Sequence, residues 1–192
     1  MRSAEVKRET AETKIGVSLN IDGSGSFEGT TGIGFFDHML NLFTCHSGMD
    51  LKISVQGDLE VDNHHTLEDL GIVFGEALAQ ALGDKKGINR YGCFYCPMDE
   101  ALTRVVVDLS GRPYLVCNVP LKVERIGTFE TEMLKEFLYA FAVNARMNLH
   151  IANLYGDNAH HIVESVFKAL GHALKKAVTV SGSGVLSTKG VL

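Results

Sequence analysis

Alternation of apolar and polar positions marks "IGVSLNID" (15–22) as a strand that ends at Gly23, and "MDLKISVQG" (49–57) alternates in the same way. Between them, "FFDHMLNLFTCH" (35–46) spaces Phe36, Met39, Leu40 and Phe43 at helical intervals. From Thr66 a second helical stripe of Leu67, Leu70, Phe74, Ala77, Leu78 and Ala81 runs to Gly83, a residue suited to ending a helix. "LTRVVVDL" and "PYLVCNV" read as two strands joined by Ser110-Gly111-Arg112. In "TEMLKEFLYAFAVNA" (131–145), Leu134, Phe137, Leu138 and Phe141 share a helical face. "MNLHIANL" (147–154) alternates again, and "IVESVFKALGHALKKAV" (162–178) carries Val163, Val166, Phe167, Leu170 and Leu174 at helical spacing.

The second half therefore repeats the grammar of the first, with Met49-Asp50-Leu51-Lys52-Ile53 answering to Met147-Asn148-Leu149-His150-Ile151. Two copies point to an internal duplication rather than a solenoid. The expected organisation is one compact unit of two half-repeats, residues 1–92 and 93–192. The repeat also carries chemistry. "DNHHTLED" (62–69) returns as "DNAHHIVES" (157–165), so His64, His65 and Glu68 answer to His160, His161 and Glu164. His38 lies as far before Met49 as Glu136 lies before Met147. Histidine and glutamate share few roles, and metal ligation is the main one.

On a helix, positions i and i+4 lie on one face, so His64 with Glu68, and His160 with Glu164, can each approach a single ion. His65 and His161 are turned by about 100° and suit a different ion or a different subunit. With His38 and Glu136 added, the donors outnumber one tetrahedral site. Two octahedral-type sites fit them better, and imidazole with carboxylate suits Mn²⁺, Fe²⁺ or Zn²⁺. Asp62 and Asp69 are candidate acceptors for imidazole N–H groups. The blander alternative is helix capping by Asp62 or Asn63, and by Asp157 or Asn158, with solvated histidines behind; the matched duplication weighs against it. Ligand sets held apart by a pseudo-twofold need completion by a neighbouring subunit, which implies an oligomer.

Composition narrows the setting. The chain has 192 residues, 45% of them hydrophobic, which is ample for a core. The net charge of −5 comes with no basic block, which argues against nucleic acid. No run of apolar residues is long enough to span a membrane, and "MRSAEVKRETAETK" lacks the apolar segment of a secretory signal, so a cytoplasmic protein is expected. The four cysteines do not make a disulfide scaffold. Cys93 and Cys96 form a lone C-x-x-C without the second pair a structural zinc needs, and Pro97-Met98-Asp99 follows it where a thioredoxin-like motif opens a helix.

"GIGFFDHML", "DNHHTLED", "KGINRYG", "DLSGRPY", "DNAHHIVESVFKALGHAL" and "STKGVL", in this order and through essentially the whole chain, resemble the imidazoleglycerol-phosphate dehydratases of histidine biosynthesis. The resemblance implies an α+β fold like ribosomal S5 domain 2, in which each half is a four-stranded sheet with two helices on one face and the helices of both halves meet in the core. It also implies trimers assembling to a 24-mer, with two Mn²⁺ per active site formed between subunits. The implied ligands are His38, His64, His65, Glu68, Glu136, His160, His161 and Glu164. Many family members carry histidine where this chain has Glu136, which makes that site more negative here. The implied reaction removes water from imidazole glycerol phosphate, through a metal-stabilised imidazolate, to give imidazole acetol phosphate. Glu12, on residues alone one more acid in a charged segment, becomes the base, and Arg90, Arg112, Lys168, Ser187 and Lys189 surround the phosphate. Two rival classes stay open at this point: a dinuclear hydrolase, and a metal-storage or metal-stapled assembly that leaves the arginines and the Ser-Thr-Lys tail unused.

Overall fold

The alternating segments of the first half build a sheet from β1 (Ser3–Glu9), β2 (Thr13–Asn20), β3 (Phe27–Glu28) and β4 (Asp50–Gly57), in the order β1-β2-β4-β3. The helices α1 (Gly34–Ser47) and α2 (His64–Leu82) flank β4 in sequence. The second half supplies β5 (Tyr91–Met98), β6 (Ala101–Asp108), β7 (Tyr114–Asn118), a small hairpin of β8 (Arg125–Ile126) and β9 (Phe129–Glu130), α3 (Met133–Asn144), β10 (Asn148–Tyr155) and α4 (Ala159–Val178). Its large sheet is ordered β5-β6-β10-β7, the same topology as the first. This is a computed structural model, and it describes residues 2–192.

Both sheets pair antiparallel except at one edge, where β3 runs parallel to β4 and β7 parallel to β10. A parallel pair needs a crossover, and α1 and α3 supply it. This explains why β6 and β7, adjacent in the chain, do not pair: β10 takes the place between them. Three strands carried no readable pattern. β1 buries only Val6, β3 has two residues, and β5 has the mixed alternation of the C-x-x-C segment. Cys93 is exposed and Cys96 buried, on opposite faces of β5, and all four cysteines are free thiols.

Each half lays its helices on its own sheet, α2 against β1, β2 and β4, and α4 against β5, β6 and β10. The halves then meet helix to helix, α1 against α4 and α2 against α3. Phenylalanines fill the seam. Phe36 meets Phe137 edge-on at 4.8 Å and Phe167 at 5.6 Å, and Phe74 packs on Phe43 at 5.4 Å and Phe141 at 4.7 Å. Toward one end His46 Nδ1 lies 3.0 Å from His172 Nε2, and the His172 ring stacks on Phe94. Burial holds the pKa of both imidazoles below the usual value, with the His172 charge acting in the same sense on His46.

Glycines set the helix spacing. A Cβ on Gly75 of α2 would stand 2.7 Å from Phe141 O and 2.8 Å from Ala145 N of α3. Its counterpart Gly171 of α4 would stand 2.9 Å from Phe43 O and 3.0 Å from Ser47 N of α1. Gly75→Ala is therefore expected to destabilise the fold by about 1–3 kcal/mol, because rigid backbone must move. Gly182→Ala, with nothing within 4 Å of the added methyl, is the control. Denaturant midpoints measure both, and equal midpoints would show that the α2–α3 seam is not held at contact distance.

Candidate metal centre and anion pocket

The His-His helices begin alike. Asp62 Oδ1 accepts the His64 backbone N–H at 2.8 Å, and Asn158 Oδ1 accepts from His160 N at 2.9 Å and His161 N at 3.4 Å. The capping read from the sequence is thus present, and it fixes where the first turn points its imidazoles. Asn63 caps nothing with its side chain; its amide reaches the β8–β9 hairpin, donating to Thr128 O at 2.6 Å and to Glu130.

The α1–α4 seam gathers His38, His160 and Glu164, whose donor atoms all lie within 4.8 Å of one another. His38 Nε2 is 3.6 Å and His160 Nε2 3.3 Å from Glu164 Oε2. The imidazoles are half-exposed and the carboxylate is almost buried, its side chain retaining 8% of its accessibility. The other oxygen, Oε1, is held by Lys168 Nζ at 2.5 Å. Burial pushes the Glu164 pKa up, but the Lys168 ion pair and the two imidazoles outweigh it and the net shift is downward. An ionised carboxylate with one free oxygen facing two imidazoles is a donor set that fits a divalent ion of the manganese, iron and zinc group.

The duplicated set is looser. His64 Nε2 lies 3.7 Å from Glu68 Oε2 on α2. Glu136 stands in the first turn of α3, half-buried, on the helix that packs against α2. Among the described residues only the α1–α4 group brings three donors within 4.8 Å.

His65 and His161 join neither group, and a carboxylate anchors each. His65 Nδ1 lies 2.9 Å from Asp58 Oδ2 and 3.7 Å from Glu12 Oε2. The Asp58 hydrogen bond, with the Glu12 charge behind it, raises the His65 pKa. His161 Nδ1 lies 2.7 Å from Glu100 Oε2, which raises the His161 pKa and lowers that of Glu100 to about 2. Neither Asp58 nor Glu100 was picked out from the sequence. The acceptors expected there, Asp62 and Asp69, serve elsewhere: Asp62 caps, and Asp69 accepts from Arg8 Nε at 2.8 Å and Thr13 Oγ1 at 2.5 Å.

Four of the five phosphate-set residues come together. Arg90, Arg112, Ser187 and Lys189 line a cavity of about 490 Å³ with Tyr91, Leu186 and Thr188. Arg90 is pinned there, Nε to Asp108 Oδ1 at 2.7 Å, Nη2 to Asp108 Oδ2 at 3.1 Å, and Nη1 to Leu186 O at 2.8 Å, which also ties the tail to the sheet. Asp108 was another residue the sequence did not single out. The Arg112 side chain makes only a long bond, 3.4 Å, to Ser110 O and stays exposed. Lys168 lies apart, beside Glu164, and the anion cavity contains none of the histidines.

Residues 31–174 match the family model described as imidazoleglycerol-phosphate dehydratase. Enzymes of that description from Thermoanaerobacter pseudethanolicus and Heliobacterium modesticaldum are 59% and 60% identical, each over the full length of both chains. The crystal structure of the imidazoleglycerol-phosphate dehydratase from Staphylococcus aureus subsp. aureus N315 superposes with a TM-score of 0.85 at 45% identity, covering 93% of this chain and 99% of that one. The Pyrococcus furiosus enzyme in complex with (S)-C348 gives a TM-score of 0.83 at 41% identity, covering 97% of this chain and all of that one.

The freedom of Arg112 has a testable consequence. Arg112→Lys keeps the charge but loses the planar fork, so inorganic phosphate should bind about tenfold more weakly while Mn²⁺ uptake is unchanged. Calorimetric titration with each ion separates the two, and unaltered phosphate binding would leave Arg112 as a residue of the turn alone.

Proposed function

The chain belongs to the imidazoleglycerol-phosphate dehydratase family, hydro-lyases of histidine biosynthesis, and on that premise we propose a metal-dependent dehydration of imidazole glycerol phosphate to imidazole acetol phosphate. The observation that carries the metal dependence is the group of His38, His160 and Glu164, built across the two halves. Applied to the other seam, the repeat pairs Glu136 with His64 and Glu68. His65 and His161, turned away from these groups, complete the sites of adjacent subunits. Two Mn²⁺ per active site fit these donors, and Fe²⁺ or Zn²⁺ accept overlapping ligands. When bound, such ions supply Lewis acidity that lets the substrate's imidazole ring carry the negative charge of an imidazolate.

The chain's own side chains do the rest. Glu12, in the turn before β2 and beside His65, is the base for the carbon-bound proton. Arg112, Ser187 and Lys189, with Arg90 braced by Asp108, receive the phosphate. Lys168 belongs to that set as well, and its pairing with Glu164 competes with the anion for one ammonium group. The separation of the anion cavity from the histidines leaves a single chain without a complete site, which supports sites shared between subunits, and trimers within a 24-mer are the assembly we propose for them. Tyr91, Tyr95 and Tyr114, exposed on the two edge strands of the second sheet, leave both edges open to partners. Free thiols throughout fit the reducing cytoplasm, and no helix is long and apolar enough to cross a membrane.

The direct test strips the protein of metal and follows dehydration of imidazole glycerol phosphate as single ions are returned. Mn²⁺ should restore turnover. Activity that survives stripping would overturn the metal dependence, and metal uptake without turnover would favour storage. If ligands come from several subunits, chelation should also shrink the particle seen by light scattering, because metal binding is then association energy.

Glu136 tests the repeat itself. A surface glutamate tolerates alanine within about 0.5 kcal/mol, but a ligand does not. Glu136→Ala should lose most activity and weaken one metal, and Glu136→His should restore much of both. Full metal stoichiometry and turnover in the alanine variant would remove Glu136 from the ligands.

A further inference from the structure

The two sheets share one topology, so their turns can be compared residue by residue. Glu12 is the residue immediately before β2, and Glu100 is the residue immediately before β6. Strand register supports the match: Val6 pairs Val17 in the first hairpin as Phe94 pairs Val105 in the second, with the same number of residues between the paired positions. At the other strand end a bulge in β10 moves the match by one residue: Lys14 pairs Gln56 and Leu102 pairs Tyr155, so Gly156 answers to Gly57 and Asp157 to Asp58.

These positions surround the second histidine of each pair, but the two halves use them differently. In the first half Asp58 Oδ2 takes the His65 Nδ1 contact at 2.9 Å, and Glu12 stands back at 3.7 Å. In the second half the carboxylate at the equivalent position, Asp157, is drawn away: its Oδ1 accepts from Lys122 Nζ at 2.9 Å and its side chain stays exposed. Glu100 closes on His161 Nδ1 at 2.7 Å instead, while its Oε1 accepts the Asn158 N–H at 2.8 Å and the Asp157 N–H at 3.3 Å. His161 Nε2 is left facing Asp99 Oδ2 at 3.7 Å, beyond hydrogen-bond reach, and is the ring atom still open to a ligand.

We infer that Glu100 is the positioning residue for His161, as Asp58 is for His65, and that Asp58 thereby leaves Glu12 free of histidine-orienting duty. The inference rests on the ligand assignment of His161 proposed above. Accepting the Nδ1 proton selects the tautomer whose Nε2 lone pair can bind a metal, and the clasp on the start of α4 fixes the direction of the ring. A turn carboxylate present in both halves has thus divided its labour. Where Asp58 holds the imidazole, Glu12 stays available for proton transfer, and where Asp157 pairs with Lys122 instead, Glu100 orients the imidazole.

Metal-stripped protein with ¹⁵N-labelled histidine rings, held at a pH where His161 is neutral, tests this. Long-range ¹H–¹⁵N spectra should show His161 protonated on Nδ1 in the wild type and on Nε2 in Glu100→Ala. Mn²⁺ titration of the same samples should show affinity falling about 10–100-fold in Glu100→Ala. Glu100→Gln should recover most of it, because the amide oxygen accepts the same bond. A lower melting temperature with unchanged tautomer and unchanged Mn²⁺ affinity would overturn the inference and leave Glu100 as an anchor for the backbone of α4. If His161→Gln binds Mn²⁺ as tightly as the wild type, the ligand assignment fails. That failure is distinguishable, since the tautomer shift in Glu100→Ala needs no metal.

Discussion

Close contact between helices of opposite halves is the constraint on which the site depends. Each half places α1 and α2, or α3 and α4, on its own sheet, and neither pair carries a complete donor group by itself. Only where α1 meets α4 do His38 of one half and His160 with Glu164 of the other converge. Gly171, at backbone distance from Phe43 and Ser47, sets that approach, and Gly75 sets it at the matching seam. Packing and donor geometry are then one feature: a helix pair spread by a methyl group also spreads its His and Glu side chains.

The helices were legible because their apolar stripes are long and unbroken, and the histidine pairs because they occur twice at matched positions. Less could be read of the sheets. β1 shows one buried residue among seven and reads as a charged tail, yet its hairpin with β2 is what brings Glu12 to His65. The order of β6, β10 and β7 depends on a crossover, which local alternation does not encode. Asp58 and Glu100 were missed for a related reason. A carboxylate seven or sixty-one positions from its imidazole has no periodic relation to it and is found only once the turns are placed. The likeness of the hairpins before β2 and β6 held the missing signal, because it makes Glu100 the counterpart of an acid already singled out.

The expected phosphate set illustrates the converse, residues grouped from the sequence whose members hold different stations. Arg90 is locked into a bidentate pair with Asp108 and a bond to Leu186 O, so its first effect is to draw the tail across the sheet edge. Arg112 makes no ion pair among the described residues, only a long bond to Ser110 O, and stays exposed. Lys168 takes one oxygen of Glu164, the residue whose other oxygen faces His38 and His160. A cation at that spot offsets the charge of a nearly buried carboxylate and keeps the imidazole side of it open.

The duplication also shows where symmetry stops. His38 faces its donor group, and Glu136 stands at the matching position of the repeat, so a carboxylate there takes the place of an imidazole. Asp58, on His65, and its counterpart Asp157, on Lys122, break the symmetry a second time, now around the imidazoles that point away from the seams. The departures from the repeat fall among these carboxylate and histidine side chains, while the phenylalanine seam and the glycine contacts that hold the frame stay nearly symmetric.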